Sequence, residues 1–267
     1  MAAQLTGIRI YPVKSLDPVE LKEAEVGLYS LRYDREFAML TPDGKFMNGK
    51  RSGRVNELAA TFDLAARRIR LMPRAGGATV DFHLDDERQQ IAAFLSDFFG
   101  MPVLLAHSDS GQLMDMPRES SLTLVSSASL KSLQADMAAH TLDELRLRFR
   151  ANLEISGTAA YREEELFGDP ENGVRFRLGE VEMVGVGPRA RCNVPPRNPF
   201  SGIPDSGFVK LMVESRKKSL PRGSRLPLFG GFYHLTVNVF LPPAEQGKML
   251  RVGDRLEVLG TVPLNSL

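Results

Sequence analysis

The chain has 267 residues, of which 43% are hydrophobic and 25% are charged, as in an ordinary globular protein that buries a sizeable core. Its 34 basic and 33 acidic residues leave a net charge of +1, which argues against a nucleic-acid surface or a polybasic membrane anchor. The N-terminus has no secretion-signal pattern, and no apolar run approaches the length of a membrane span. The composition therefore predicts a soluble, cytoplasmic protein.

The basic residues are unevenly divided, because 25 are Arg and only 9 are Lys. The planar guanidinium group binds phosphate and other planar oxyanions through two parallel hydrogen bonds, so this bias fits an anionic ligand. An arginine-rich surface without any ligand explains the composition equally well.

Cysteine and histidine usage limits the metal sites that the chain can build. Cys192 is the only cysteine, which excludes an intramolecular disulfide and a structural zinc site made of cysteines. The four histidines lack the paired spacing of zinc ligands. A lone cysteine is usually an inert core residue, but Arg189 and Arg191 flank this one and favour the thiolate, which attacks electrophiles or binds metal. A Cys–His nucleophile would need a spatial neighbour such as His234 or His140.

The first hundred residues alternate short strand patterns with turn signals. Alternating apolar residues and turn signals predict strands over residues 5–13, 20–28, 35–41, 59–64 and 67–72. The acidic residues 85–87 begin a helical pattern that Gly100 ends, and a strand over 101–107 follows. We place a domain boundary in the polar segment 108–118, which predicts two domains over residues 1–107 and 112–267.

The second half begins with a predicted strand over 122–126 that runs into a predicted helix over 127–137. The hydroxyl residues at this junction, Ser126 and Ser127, form either an anion site or a simple helix cap. From residue 147 onward the pattern predicts mostly strands. RLGEVEMVGVG and RVGDRLEVLG share an apolar–Gly–acidic pattern that predicts a β-hairpin in each. Residues 193–209 contain four prolines, which predict a long surface loop, and its place beside a unique thiol favours a functional role.

Three segments combine cationic groups with a hydroxyl or an amide at a predicted strand end. They are residues 11–15 together with Arg35, residues 148–153 and residues 188–193. A ligand with a phosphate and a polar heterocycle needs such a mixture, since charge binds the phosphate and fixed donors bind the ring. Taken singly, each segment is explained as well by ordinary surface charge.

Six segments, in this order, resemble the MOSC family, which is named after the C-terminal domain of molybdenum cofactor sulfurase. They are IYPVKS, DREFAML, RFRANLEISG, RARC, PLFGGFYHLTVN and RVGDRLEVLG. The resemblance covers nearly the whole chain, and IYPVKS and the Arg–Cys pair are its most specific motifs. It implies a mainly β protein with some α, in which a β-barrel MOSC domain follows a smaller β-barrel-like N-terminal domain. It also implies a molybdenum cofactor, with molybdopterin, in the cleft between them.

The resemblance assigns roles to particular residues. Cys192 matches the cysteine that ligates molybdenum in this family and is therefore the expected metal ligand and catalytic residue. The expected cofactor contacts are Lys14, Ser15, Arg35, Ser126, Ser127, Arg150, Asn152 and Arg191. The family's cofactor-contacting tyrosine aligns with Phe232, so Tyr233 takes that role only if the strand register shifts. Residues 193–199 differ from the family pattern beside the metal, so the substrate range does not carry over.

The implied activity is that of a molybdenum-dependent oxidoreductase that reduces N-hydroxylated or N-oxide-type small molecules, as amidoxime-reducing members of the family do. One cysteine cannot bind an iron–sulfur cluster, and no membrane anchor precedes the first motif. Electrons are therefore expected from a separate ferredoxin-, flavin- or cytochrome-type protein. An alternative is a non-catalytic carrier of the cofactor, or of a sulfur atom on Cys192. A cysteine-dependent hydrolase ranks last because no base lies at motif distance.

Overall fold

The computed structural model describes residues 2–110, 113–114 and 122–267, and it is mainly β with peripheral helices. Within these residues the strands β1 to β15 are Gln4–Ile10, Val19–Leu21, Glu23–Glu25, Phe37–Leu40, Leu58–Asp63, Arg68–Pro73, Val80–His83, Leu104–His107, Leu122–Ser126, Leu153–Ser156, Asn172–Leu178, Val181–Ala190, His234–Phe240, Met249–Arg251 and Leu256–Pro263. The helices α1 to α4 are Arg88–Phe99, Ser127–Asp136, Leu142–Phe149 and Phe208–Lys218. Short 3₁₀ helices cover Gly53–Glu57, Arg162–Leu166, Leu226–Phe229, Pro243–Glu245 and Leu264–Ser266.

Eight strands form one large sheet in the order β15-β11-β12-β13-β9-β10-β1-β2. β9 and β10 run parallel, and the other neighbouring pairs are antiparallel. Backbone hydrogen bonds also join β1 to the start of β15. Leu5 exchanges hydrogen bonds of 2.8 Å with Gly253 and Asp254, and the N–H of Leu256 donates to Ala3 at 2.9 Å. The sheet therefore curls back on itself in a barrel-like form, in which β1, the neighbour of the edge strand β2, lies beside β15 at the other edge.

Buried apolar side chains fill this barrel, and β11 illustrates how its sequence produces them. Val174, Phe176 and Leu178 are buried, while Arg175 and Arg177 between them are exposed. An alternation of period two is what a strand with one buried face requires. Each fully buried Leu or Phe contributes roughly 1.5–3 kcal/mol to folding, so the alternation determines which face of β11 points inward.

A second core lies under the N-terminal half, where β5, β6 and β7 form one sheet and β4 pairs with β8. Helix α1 covers this core with Ile91, Leu95 and Phe99, which recur at helical spacing on one face. Gly100 ends α1 with φ 69°, a left-handed conformation that glycine adopts freely, and this confirms the predicted helix end. In the described part of the chain we find no helix that combines the length and apolar character needed to cross a bilayer.

Helices α2, α3 and α4 pack outside the barrel around a third core that includes Leu133, Phe149 and Met212. Helix α3 begins with a capping box. The hydroxyl of Thr141 accepts a hydrogen bond from the N–H of Glu144 at 3.1 Å, and the Glu144 carboxylate accepts one from the N–H of Thr141 at 2.9 Å. This capping box stabilises the first turn of α3, and residues of its last turn lie at the candidate site.

Three sequence predictions for the second half need correction. Strands were expected from residue 147 onward, but residues 147–149 complete helix α3 and β10 begins only at Leu153. RLGEVEMVGVG forms the expected hairpin of β11 and β12, whereas RVGDRLEVLG does not, because β14 pairs with β3 and β15 with β11. The loop predicted over 193–209 ends earlier than expected, since helix α4 begins at Phe208.

The division into domains 1–107 and 112–267 stays a prediction. Its boundary segment falls largely on residues 111–112 and 115–121, which lie outside the described residues. Strands β1 and β2 precede that boundary in the chain, and they lie in the large sheet beside β10.

Glu154 on β10 connects three elements of the barrel and its helical layer. This residue is 4% exposed, and its carboxylate accepts hydrogen bonds from Arg146 at 2.8 and 2.9 Å, from Arg9 at 2.9 Å and from Ser127 at 3.0 Å. Burial raises the pKa of Glu154, but the hydrogen bonds from Arg146 and Arg9 outweigh it and hold the pKa at about 2. The charged carboxylate is therefore a structural group.

We expect Glu154→Gln to lower the free energy of unfolding at pH 7 by about 3 kcal/mol, since each pKa unit below the ordinary value is worth about 1.4 kcal/mol. Because the folded-state pKa is depressed, this stabilisation is present above the ordinary pKa of 4.5 and is lost as the pH falls toward 2. Urea unfolding followed by circular dichroism at pH 7 and pH 3 measures both effects, and the difference between wild type and variant should shrink at pH 3.

The control for this prediction is Glu257→Gln. Glu257 is exposed and pairs with Arg177 across β15 and β11, so we expect it to change the free energy of unfolding by less than about 1 kcal/mol. Equal losses of stability in the two variants would contradict the structural role of Glu154.

Candidate functional site

A cavity of about 530 Å³ opens between the barrel and the N-terminal half of the chain. The N-terminal half supplies the turn after β1, Arg35 and residues of the segment 48–56. The barrel side supplies the start of β9, the end of α3 with the residues that follow it, and the end of β12. Residues of the loop after β12, up to Pro199, complete the wall. A cavity where two packed units meet is a common location for a ligand site.

Positive charge dominates the wall of this cavity. Its cationic lining residues are Lys14, Lys50, Arg35, Arg148, Arg150, Arg189, Arg191 and Arg197. Among the described residues that line it, Asp17 is the one acid, and its carboxylate accepts hydrogen bonds from Arg74 at 2.6 and 2.7 Å. Arg74 already pairs with this acid, so the described lining residues are mainly cationic, a composition that suits an anion.

The structure brings together seven of the residues that the sequence predicts for the site. Those lining the cavity are Lys14, Ser15, Arg35, Arg150, Asn152, Arg191 and Cys192. Three of them, Ser15, Arg35 and Arg150, have φ values of 77°, 52° and 51°. The left-handed region is uncommon for residues other than glycine, and such conformations concentrate at functional sites.

The ring of Tyr11 organises two of the arginines. The guanidinium groups of Arg35 and Arg150 lie 4.6 and 3.9 Å from its centroid. Arg150 also donates to the carbonyl of Leu16 at 2.8 Å, and burial lowers the pKa of Arg150. The Tyr11 hydroxyl is buried without a hydrogen-bond partner among the described residues. Two positive charges are thus stacked at the turn that carries Lys14.

A buried carboxylate that the sequence analysis did not identify, that of Asp34, links the turn after β1 to Arg35 and Asn152. Asp34 is 1% exposed and accepts hydrogen bonds from the backbone N–H of Tyr11 at 2.8 Å, the hydroxyl of Ser30 at 2.7 Å and the side-chain amide of Asn152 at 3.2 Å. The guanidinium of Arg35 also donates to it. The signal that could have identified Asp34 is its position beside Arg35 in the motif DREF.

Asn152 lines the cavity, but its side chain makes structural hydrogen bonds. Besides Asp34, its amide donates to the carbonyl of Arg9 at 3.0 Å, and its oxygen lies 3.3 Å from the donating N–H of Thr123. These bonds join β1, β9 and the end of α3. The role of Asn152 in this structure is therefore to hold the cavity wall.

Arg191 lies behind the thiol-bearing end of β12. Its Nη2 donates to the carbonyl of Leu235 at 2.6 Å and to the hydroxyl of Thr236 at 2.7 Å, and its Nη1 donates to the carbonyl of Phe149 at 3.2 Å. Its Nε is buried without a hydrogen-bond partner among the described residues. Burial lowers the pKa of Arg191, and the nearby charge of Arg189 lowers it further. Neutral oxygens thus position a guanidinium whose charge they do not cancel.

Cys192 lies two residues beyond the end of β12, lines the cavity and is exposed. Its carbonyl accepts a hydrogen bond from the Tyr233 hydroxyl at 3.1 Å. Burial raises the pKa of Tyr233 to about 12, so the hydroxyl keeps its proton and donates at neutral pH. Tyr233 does not itself line the cavity. Its contact is with the backbone that carries the thiol.

The loop that follows Cys192 is fastened to both halves of the protein. Arg148 is 5% exposed, and its Nη1 donates to the carbonyls of Pro195 at 2.7 Å and Arg197 at 2.9 Å. From the N-terminal half, the amide of Asn56 donates to the carbonyl of Asn198 at 3.0 Å. This loop therefore closes one side of the cavity in a fixed position.

Ser126 and Ser127 lie away from the cavity. β9 reaches the cavity at Thr123, and Ser126 is at the far end of the same strand, about 10 Å away at roughly 3.3 Å per residue. Ser126 caps α2, and its N–H donates to the buried carboxylate of Glu163 at 3.1 Å. Ser127 donates to Glu154. The chain's own carboxylate thus occupies the helix end where an anion was expected.

A second group of possible metal ligands lies outside the cavity. Ligand atoms of Glu36, Asp85 and His107 fall within 4.8 Å of one another. Arg67 donates to both carboxylates, at 2.8 Å to Glu36 and at 2.7 Å to Asp85. Because a guanidinium already supplies the positive charge, this cluster stabilises the N-terminal half as an ion-pair network.

The cavity fits a ligand that combines an anionic group with a soft metal ion. Lys14, Ser15, Arg35 and Arg150 offer charge and a hydroxyl to a phosphate, while the thiolate of Cys192 is a soft metal ligand. The Nε atoms of three lining residues, Arg148, Arg191 and Arg197, are buried and have no hydrogen-bond partner among the described residues. Orphaned donors of this kind are expected where a site is completed by a ligand.

The large curled sheet, the N-terminal β structure and the cationic cavity with a thiol in its lining define the class as a mainly β protein of barrel-like architecture. The chain belongs to the MOSC family. The family profile described as MOSC domain matches residues 82–257, and the profile described as MOSC N-terminal beta barrel domain matches residues 2–97. These matches confirm the family expected from the motifs and the mainly β fold.

Curated relatives are distant in sequence. Human molybdenum cofactor sulfurase is 23% identical over 83% of this chain, which spans only about 30% of that protein. Mouse mitochondrial amidoxime-reducing component 1 is 25% identical over 94% of this chain and 81% of its own length. In the crystal structure of the Bacillus subtilis protein YuaD, the chain is 11% identical to this one, and the superposition covers 97% of this chain and 96% of that chain with a TM-score of 0.41.

We expect Asp34→Asn to lower the free energy of unfolding by about 2–4 kcal/mol. The amide cannot accept all four hydrogen bonds, and the substitution removes the carboxylate that pairs with Arg35. Urea unfolding at pH 7 measures the loss. The matched control is Asp43→Asn, because Asp43 is exposed in a turn and pairs with Lys45, and its unfolding midpoint should stay close to that of wild type. Coincident midpoints for the two variants would exclude a central role for Asp34.

Proposed function

We propose that the cavity binds a molybdenum cofactor, with Cys192 as the protein ligand of the metal. The observation that carries this proposal is that one cavity holds an exposed thiol together with eight cations, while the one acid among its described lining residues is paired with Arg74. A phosphate-bearing pterin with a soft metal needs both features. Membership of the MOSC family and similarity to a molybdenum cofactor sulfurase support the proposal.

The residues at the cavity would have different roles in holding the cofactor, according to their chemistry. Lys14, Ser15, Arg35 and Arg150 would hold the phosphate, because they supply charge and a hydroxyl from one corner of the cavity. Arg191 lies behind the cysteine backbone and brings its guanidinium group near the sulfur ligand. Asp34 orients Arg35, and Asn152 holds the wall between β1 and β9.

We further propose that the protein reduces N-hydroxylated or N-oxide-type small molecules. The reaction breaks an N–O bond, consumes two electrons and two protons and releases the oxygen as water. The bound cofactor would supply the two-electron redox chemistry. The chain would orient the substrate in the open part of the cavity beside Cys192 and receive electrons from a separate ferredoxin-, flavin- or cytochrome-type protein. Similarity to the mouse amidoxime-reducing component supports this finer proposal.

A second candidate is a carrier that holds the cofactor or a sulfur atom on Cys192 without reducing a substrate. The exposure of Cys192 favours it, because a thiol open to solvent can deliver a group to another protein. Turnover of an N-hydroxylated compound by purified protein with an artificial reductant separates the two candidates, since a carrier gives none.

We expect about one molybdenum and one pterin per wild-type chain made in a molybdenum-replete host, and loss of the metal in Cys192→Ala. Elemental mass spectrometry and pterin fluorescence after oxidation measure the two contents. Because Cys192 is exposed, the far-UV circular dichroism spectrum of the variant should match that of wild type, which controls for misfolding. Wild-type protein that lacks both metal and pterin would contradict the proposed cofactor.

We expect the loaded protein to reduce benzamidoxime with a dithionite-reduced viologen dye, and Cys192→Ala to lose more than about 99% of this activity because the substitution removes the metal ligand. Asn193→Ala is the matched control, since Asn193 is the exposed neighbour of the cysteine and does not line the cavity. Activity retained in Cys192→Ala would exclude the assigned role of the cysteine.

A further inference from the structure

The pairing of β12 with β13 changes register twice just before Cys192. Between Gly185 and Gly187, β12 has one residue more than the facing part of β13. Between Pro188 and Ala190, the extra residue is in β13. The second change cancels the first, so it determines which residues of β13 face the last residues of β12. Such an extra residue is a β-bulge, a feature that is frequent beside functional sites, where it redirects a side chain.

The second bulge contains Leu235 and Thr236, and the backbone of Thr236 has an unusual conformation. Its φ is 74°, in the left-handed region. This region is an outlier for a β-branched residue, because the branched side chain crowds the backbone there. Thr236 is also buried, with 5% of its surface exposed. A buried residue keeps such a conformation only where its surroundings impose it.

One source of this constraint is Arg191. Its Nη2 donates to the Leu235 carbonyl at 2.6 Å and to the Thr236 hydroxyl at 2.7 Å, so a single nitrogen binds both residues of the bulge. The backbone N–H of Arg191 donates to the carbonyl of Tyr233 at 3.0 Å, and the Tyr233 hydroxyl donates to the carbonyl of Cys192 at 3.1 Å. Four hydrogen bonds therefore attach Arg191 and Cys192 to β13, and two of them end in the bulge.

We propose that Thr236 is a positioning residue for Cys192, and that its hydroxyl acts by holding the guanidinium of Arg191 against the bulge in β13. Thr236 does not line the cavity, so it acts through Arg191 and not by touching a ligand. The inference rests on the proposed function, because it concerns the placement of the proposed metal ligand. A displacement of reacting groups by about 1 Å can lower a rate about a hundredfold, so the placement of the thiol matters to the reaction.

The test uses the fact that Cys192 is the only cysteine of the chain. Full-length protein made in a host without the molybdenum cofactor is alkylated with bromotrifluoroacetone, and fluorine NMR then detects one trifluoromethyl group at Cys192. The chemical shift of this label depends on its surroundings. It therefore reports the position of the residue without any metal, pterin or substrate.

Three substitutions of Thr236 separate the hydroxyl from the rest of the side chain. Thr236→Ser keeps the hydroxyl, and we expect the resonance of the wild-type protein. Thr236→Val keeps the branched shape but removes the acceptor for Arg191, and we expect a displaced resonance or two resonances. Thr236→Gly also removes the hydroxyl but adopts a positive φ without strain, so it tests the same point if the valine variant does not fold. We expect the same change in it.

The matched control is Thr41→Val. Thr41 is 3% exposed in the turn after β4, and its hydroxyl donates to the carbonyl of Lys45 at 3.0 Å. It lies outside the cavity lining. This variant therefore loses a buried threonine hydroxyl of the same kind, and we expect its label to resonate at the wild-type position.

In the loaded protein, the same variants separate positioning from stability. We expect Thr236→Val to lower kcat for benzamidoxime, per bound molybdenum, about tenfold and to change KM by less than about threefold, because the chemical step depends on the geometry at the metal ligand. Thr236→Ser and Thr41→Val should keep kcat within about threefold of the wild-type value.

Each alternative outcome has a definite meaning. Coincident resonances for wild type, Thr236→Val and Thr236→Gly overturn the inference, and so does a displacement in Thr236→Ser or an equal displacement in Thr41→Val. An unchanged kcat per bound molybdenum in Thr236→Val also overturns it. A displaced resonance in Thr236→Val and Thr236→Gly, in a protein whose wild type binds neither molybdenum nor pterin, supports the placement of Cys192 by Thr236 and contradicts the proposed cofactor.

Discussion

The cavity depends on guanidinium groups that are held by neutral partners. Arg148 donates to the carbonyls of the loop, Arg150 to the carbonyl of Leu16, and Arg191 to the carbonyls of Phe149 and Leu235. Carbonyl oxygens satisfy the donors and set their direction, but they leave the positive charge in place. Burying such charges costs free energy that an anionic ligand recovers when it binds. Under the proposed function the cavity is therefore preorganised for an anion, and this arrangement costs the unliganded protein some stability.

The end of helix α3 distributes these charges to two walls of the cavity. Arg148 lies in the last turn and faces the loop after Cys192, where it meets two carbonyls. Arg150 follows the helix in the left-handed conformation, with φ 51°, and is turned toward the ring of Tyr11. The change of backbone direction at this single residue lets two arginines, only two positions apart, serve opposite sides of one site.

Local patterns predicted much of the fold and part of the site. The alternation of apolar residues was sufficient to predict the hairpin of β11 and β12. The Arg–Cys and IYPVKS motifs identified four candidates that the structure brings to one cavity: Lys14, Ser15, Arg191 and Cys192. Helix α3 was mistaken for a strand at its end because RFRANLEI alternates like one. The capping box of Thr141 and Glu144 was the stronger local signal.

The remaining errors arise from long-range pairing, which a local pattern does not contain. The position of Ser126 depends on which end of β9 faces the cavity, and that is decided by its neighbours β10 and β13 in the sheet. In the same way, β14 pairs with β3 more than 200 residues away along the chain, although its own sequence resembles half of a hairpin. Asp34 was missed because its importance lies in four partners brought together by folding.

The thiol of Cys192 is exposed, whereas the guanidinium group of Arg148 beside the same loop is buried. A metal held at Cys192 would be open to a substrate and to an electron donor, while the charges around it stay fixed by the barrel and by α3. The adjoining loop contains four prolines, which restrict its backbone, and it is fastened by Arg148 on one side and Asn56 on the other. In the proposed enzyme a wall this constrained would select substrates by shape in advance of binding, so changes in the part of this loop that lines the cavity should alter which substrates are accepted more than whether the cofactor is held.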